Sequence, residues 1–182
     1  YAEIDPEIFN QRNITIFPLL NTAISSSPST SSSNNQNPGG YWHHHPINGI
    51  APDSWIYYSK EEVKQFVLNH IVKYAISYDE FLDMVPTGKT TFFPSFATNG
   101  YGYVSIHMLN STESNGGAEI TRLYINDFES HYQRLHPNGW GAYLYPTTSN
   151  LQTNNGSYIH TMSFYLDFPT DSDMAAHPIY NK

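Results

Sequence analysis

The chain has 182 residues and a formal net charge of −8, with eight Lys and Arg, sixteen Asp and Glu, and no cysteine. A nucleic-acid partner needs a basic stripe to displace phosphate counterions, whereas Lys60, Lys64 and Lys73 are interleaved with Glu61 and Glu62. The same deficit argues against anionic membrane surfaces. The missing thiols exclude thiolate nucleophiles, thiolate metal sites and disulfides.

Charged residues make up 13% of the chain, about half the usual share of roughly 25%. Polarity comes instead from Ser, Thr, Asn and Tyr, a surface chemistry that suits secreted adhesive, glycan-facing or capsid-like proteins. Hydrophobic residues reach 39%, and 15 Tyr, 10 Phe and 3 Trp carry much of the burial. The length suits one compact body. No apolar run approaches the roughly 18 residues of a membrane-spanning helix.

In chain order, residues 1–24 read as an extended N-terminal arm, with Ile14, Ile16 and the run Phe17-Pro18-Leu19-Leu20 in one strand, where Pro18 marks its end or an edge. Residues 25–40, rich in Ser and Asn, read as a linker. Residues 41–182 then form the globular body. Residues 41–58 read as an aromatic loop holding Tyr41, Trp42, Trp55, Tyr57 and Tyr58. Ser59-x-x-Glu62 is a capping box, and Val63, Phe66, Val67, Ile71 and Tyr74 recur at helical spacing. A second box, Ser77-x-x-Glu80, opens a shorter helix carrying Phe81, Leu82, Met84 and Val85, with Asp79, Glu80 and Asp83 as its acids.

From residue 90 the period becomes two. Strands are predicted over 90–96, 101–109, 119–125, 140–145 and 157–168, separated by Asn-Gly and Gly-Gly turns. A third helix is predicted over 127–135, and the ending from 169 reads as irregular. The fold class is therefore α+β: an antiparallel sheet of about five strands with two or three helices on it. A β-sandwich or jelly roll with helical insertions is the alternative architecture.

Three groups of residues carry candidate chemistry. In an extended segment alternate side chains point the same way, so His43 and His45 can face one ion, and neutral imidazoles suit zinc, copper or nickel. The run His43-His44-His45-Pro46, twelve residues, then Ser59-x-x-Glu62 resembles the zinc signature of the JAMM isopeptidase family. That resemblance implies His43, His45 and Glu62 as zinc ligands, Ser59 as oxyanion donor and a zinc-dependent hydrolase. Asp167, Asp171 and Asp173 offer hard oxygens in a loop, a calcium chemistry. Tyr41, Trp42, Trp55, Tyr57 and Trp140 offer ring faces that stack on sugars or anchor protein interfaces.

Three N-x-[ST] sequons, at Asn13, Asn110 and Asn155, are acceptors for N-glycans. His107 and His160 lie on separate strands that can meet across a sheet, while His131 and His136 face apart on their helix. The balance is against an enzyme. It favours an extracellular or particle-surface structural or adhesive domain that meets neighbouring subunits or glycans through rings and uncharged polar groups. The zinc hydrolase is the alternative, and no nucleic-acid or membrane-spanning role is expected.

Overall fold

The computed structural model describes residues 1–28, 39–85, 89–112, 119–125 and 146–181. The expected helix over 127–135, the strand over 140–145, Trp140, His131, His136 and most of the linker lie outside them. The described helices are α1 (Thr22–Ser25), α2 (Tyr41–His44), α3 (Lys60–Asn69), α4 (Tyr78–Met84) and α5 (Asp171–Ala176). The described strands are β1 (Thr15–Ile16), β2 (Ile71–Val72), β3 (Thr90–Pro94), β4 (Tyr103–Thr112), β5 (Glu119–Ile125), β6 (Pro146–Gln152) and β7 (Tyr158–Met162). The fold is α+β.

The strands form two sheets rather than one antiparallel sheet. The first has the order β2-β1-β7-β6, and the second is β3-β4-β5. Within the first, β1 runs antiparallel to β2 but parallel to β7. The sheets are joined along an edge. A bridge links Val72 to Ser95, flanked by the Lys73 amide on the Pro94 carbonyl at 3.0 Å and the Phe96 amide on the Ile71 carbonyl at 2.9 Å. The chain end also pairs with β3: the Phe92 amide donates to Pro178 at 2.9 Å, and the Tyr180 amide donates to Phe92 at 2.7 Å.

Part of the expected arm is core. β1 is an inner strand; its Thr15 is buried, as are Ile14 and Phe17 on either side of it. Phe17 stacks on His160 of β7 at 5.6 Å between ring centroids. A two-residue strand shows no period, so its inner position cannot be read from alternation. The strand expected over 157–168 stops at Met162. His160 and Met162 point inward as the alternation requires, but Tyr165, Leu166 and Asp167 are buried in succession.

Helices α3 and α4 start where the two boxes place them. Ser59 Oγ accepts the Glu62 amide at 3.1 Å while the Glu62 carboxylate accepts the Ser59 amide at 2.8 Å. Ser77 and Glu80 repeat the pattern at 3.1 and 2.7 Å. Phe66, Phe81, Phe93, Val104, Ile106, Ile125 and Met162 from both sheets and both helices meet in one cluster. Phe81 sets its edge on Phe93 at 5.7 Å. Truncating such a buried ring costs about 3–5 kcal/mol.

Candidate functional site

The chain returns to the body at Gly40. Its amide donates to the Ser26 carbonyl at 2.8 Å, and a Cβ there would stand 2.5 Å from the Ile24 carbonyl carbon. Only glycine permits that approach. The Gly40 carbonyl then accepts the His43 amide at 3.0 Å and the His44 amide at 3.3 Å, which starts α2.

The histidine run was expected to be extended, but Tyr41–His44 is a helical turn. Helical residues two apart lie about 200° apart around the axis, so His43 and His45 diverge. His43 is exposed. The His45 ring stacks under Tyr41 at 4.2 Å and 18°, with Nε2 3.9 Å from Asp167 Oδ2. Glu62 serves its capping box, and those hydrogen bonds hold its carboxyl below the usual range. The residues of the JAMM-like pattern therefore do not converge. Among the described residues no group of three or more His, Cys, Asp or Glu is placed to hold a metal ion.

The three aspartates expected in a calcium loop occupy three settings. Asp167 is buried, and its Oδ1 accepts the Phe168 amide at 2.9 Å. Asp171 is exposed at the start of α5, where its carboxylate raises the hydroxyl of Tyr101. Asp173 closes a box with Thr170: its carboxylate accepts the Thr170 amide at 2.8 Å, and its own amide donates to Thr170 Oγ1 at 3.3 Å. A helix stands where an irregular ending was expected, because that box is a local start signal. His107 and His160 do not meet either. His107 shares a 2.9 Å hydrogen bond with Thr90, and His160 Nε2 donates to the Ile76 carbonyl at 3.1 Å in the other sheet.

The structure does gather the aromatic residues around residues 41–58. Tyr41 is the hub, with ring centroids 4.4 Å from Phe66, 5.3 Å from Tyr165 and 5.5 Å from Trp55. Trp42 meets Trp55 edge-on at 5.6 Å. Tyr58 closes the base by donating its hydroxyl to the His45 carbonyl at 2.7 Å. Burial first, and then the Glu62 charge, push the Tyr58 phenol up to about 12.

The same loop carries an exposed apolar rim: Ile50 is 72% exposed, Ile56 67% and Tyr57 56%. Ile47 and Ile50 exchange backbone hydrogen bonds at 3.0 and 3.1 Å. Between them Asn48 and Gly49 both have positive φ, 51° and 78°, which is a type I′ hairpin turn. A 3-10 turn, Trp55–Tyr57, is opened by Ser54, whose Oγ accepts the Ile56 amide at 3.4 Å. Of the rings read from the sequence, Tyr41, Trp42 and Trp55 are thus in contact, while Tyr57 is exposed in the 3-10 turn with them in sequence only. Ile50 and Ile56 were missed, although Asn48-Gly49 is a hairpin signal that would have flagged the turn.

The sequons differ in setting. Asn13 is exposed, with φ of 59°. Asn155 gives its amide to the Gln11 carbonyl at 2.9 Å, and its partner Ser157 is buried. Asn110 lies on β4.

No protein-family model matches the chain, and no curated protein matches it. A solved structure that resembles it is a FAS1 domain pair from the insect cell adhesion molecule fasciclin I, at 13% identity and a TM-score of 0.49. The likeness covers 90% of this chain and 40% of that one. Among the described residues no helix is long and apolar enough to cross a membrane.

Proposed function

We propose that this chain is a non-catalytic contact module of the extracellular space or a particle surface, which binds a neighbouring protein subunit through the apolar rim of the 41–58 loop. The observation that carries the reading is the exposure of Ile50, Ile56 and Tyr57 in one loop whose Trp55 is buttressed by Tyr41 and Trp42. Single exposed apolar residues are ordinary, but Ile56 and Tyr57 directly follow the buttressed Trp55, and Ile50 is exposed in the same loop, a concentration that favours an interface. Its two aliphatic side chains, Ile50 and Ile56, favour a protein partner over a sugar, whose rings stack on aromatic faces. The low charge content fits: contact made by rings and apolar groups weakens little with salt.

Sedimentation velocity across a concentration series, together with aggregation of protein-coated beads, tests this. Reversible association that persists in high salt and is lost in Ile56→Asp, with melting unchanged, is the expected result. A strictly monomeric chain that leaves beads dispersed would end the reading.

A further inference from the structure

A groove of about 610 Å³ opens beside Asn13, just before β1, between the β6–β7 hairpin, the segment after β2 and the start of α4. Its wall includes Asn13, Lys73, Tyr74, Glu80, Gln152 and Tyr158. None of these belongs to the rim described above.

The wall has a definite chemistry. Its charges are one ammonium and one carboxylate, which cancel, so it offers no net field to a phosphate or other anion. Both are partly committed: Lys73 Nζ lies 5.7 Å from the centroid of the Phe96 ring, and Glu80 accepts the Ser77 amide. What remains are two exposed side-chain amides, Asn13 and Gln152, each able to donate and to accept. Two half-buried phenols complete the set. Tyr74 meets Tyr180 edge-on, at 5.3 Å and 88°. Tyr158 makes no ring contact among the described residues. Its backbone is fixed by the amide of Tyr158 on the Ile14 carbonyl at 3.0 Å, so its ring is held on a rigid strand.

We propose that this groove binds a neutral saccharide. Sugar rings present an apolar CH face to an aromatic ring and hydroxyls to amides and carboxylates, and the wall supplies each of these without net charge. Asn13 gives the ligand two sources. It is the acceptor of the Asn13-Ile14-Thr15 sequon, and its exposed side chain lies over Gly156, where a Cβ would come within 3.5 Å of the Asn13 Oδ1. The saccharide is therefore either a glycan carried on Asn13, folded back along the groove, or an oligosaccharide supplied from outside. The proposal is independent of the subunit contact.

The experiment has two arms on the 182-residue chain. Protein made without glycosylation is titrated with N,N′-diacetylchitobiose and with maltotriose while its aromatic NMR resonances are followed. Protein secreted from a glycosylating host is digested in native form with peptide N-glycosidase F, and release from Asn13 is timed. Shifts at Tyr74 and Tyr158, weakened at least about tenfold in Tyr158→Ala, assign an outside saccharide. Release from Asn13 at least about tenfold slower than from Tyr158→Ala assigns the protein's own glycan. Gln152→Ala, an exposed site, carries the same comparisons if Tyr158→Ala melts early. Silence at both tyrosines together with equal release rates overturns the proposal, as do shifts confined to the Tyr41 rim.

Discussion

His70 and Leu166 are joined across the core by a side chain acting as a backbone clamp. His70 Nε2 accepts the Leu166 amide at 2.9 Å, which places the ring proton on Nδ1, and Nδ1 donates to the Phe66 carbonyl at 2.7 Å. One buried ring thus ties the end of α3 to the segment after β7. Asn69 beside it reinforces the join by donating to the Asp167 carbonyl at 3.2 Å.

The clamp makes stability acid-sensitive. Burial pushes His70 down to about 4 from an ordinary value near 6.5. Above pH 6.5 the ring is neutral in both folded and unfolded chains and contributes no pH dependence. Between pH 6.5 and about 4 the unfolded chain takes up a proton that the folded chain refuses, so stability falls as pH falls. Below about 4 this contribution levels off, after a loss on the order of 3 kcal/mol. His160, also lowered by burial, acts in the same direction. Denaturant melts at stepped pH should show the slope, and His70→Gln should be less stable at neutral pH but flatter below it. A wild-type chain as stable at pH 4.5 as at pH 7 would contradict the buried neutral clamp.

The Tyr58 phenol provides a second titration, at the other end of the scale. Its two causes are ranked, burial before the Glu62 charge, so Glu62→Gln should lower its titration only in part, leaving it above the ordinary value near 10. Glutamine at that position still closes a capping box, so helix α3 should persist. Since the unfolded chain ionises first between pH 10 and 12, stability should decline with rising pH in that window. Ultraviolet titration of Tyr58→Phe against the parent isolates the one phenol. Ionisation at the ordinary value would mean that the base of the aromatic cluster is open to water.

How much of this was legible depends on how local each signal is. The Ser59 and Ser77 boxes settle their helices within four residues, and both helices begin where the pattern puts them. The hairpins of β3, β4 and β5 are likewise local pairings with a visible period. β1 and β2, two residues each, exist only through partners distant in sequence. The turn at Tyr41–His44 is set by Gly40 docking on Ile24, which no histidine spacing reveals. Thr170-x-x-Asp173 has the form of Ser59-x-x-Glu62, yet its acids drew a calcium reading instead. The saccharide groove joins residues from 13 to 158 and has no linear trace.

Two glycines separate steric from conformational strain. At Gly102 an added Cβ would sit 2.4 Å from the Ala97 carbonyl oxygen, a backbone atom that cannot swing aside. Gly102→Ala should therefore cost at least about 1–3 kcal/mol, as overpacking does, and should loosen the entry to β4. At Gly49 a Cβ would meet nothing within 4 Å, but φ is +78°. Gly49→Ala should cost about 1 kcal/mol through backbone strain alone, and Gly49→Asn less, since Asn tolerates that region. Chemical denaturation ranks the three. A Gly102→Ala chain as stable as the parent would mean that the 97–102 loop relaxes freely.

His43 and His45 give opposite expectations under a shared metal ion and under the observed packing. Paired ligands would lose zinc affinity alike on either substitution. In the structure His43 is exposed and touches His44 edge-on at 5.7 Å, while His45 is stacked on Tyr41 with Asp167 beyond it. His43→Ala should therefore leave stability within about 0.5 kcal/mol, the range of surface changes. His45→Ala should cost about 1–3 kcal/mol, from the lost ring stack on Tyr41 and the space left beneath it. Melting of protein purified without a metal resin should be indifferent to chelator. Calorimetric zinc binding abolished equally by the two substitutions would reverse this assignment and restore the hydrolase reading.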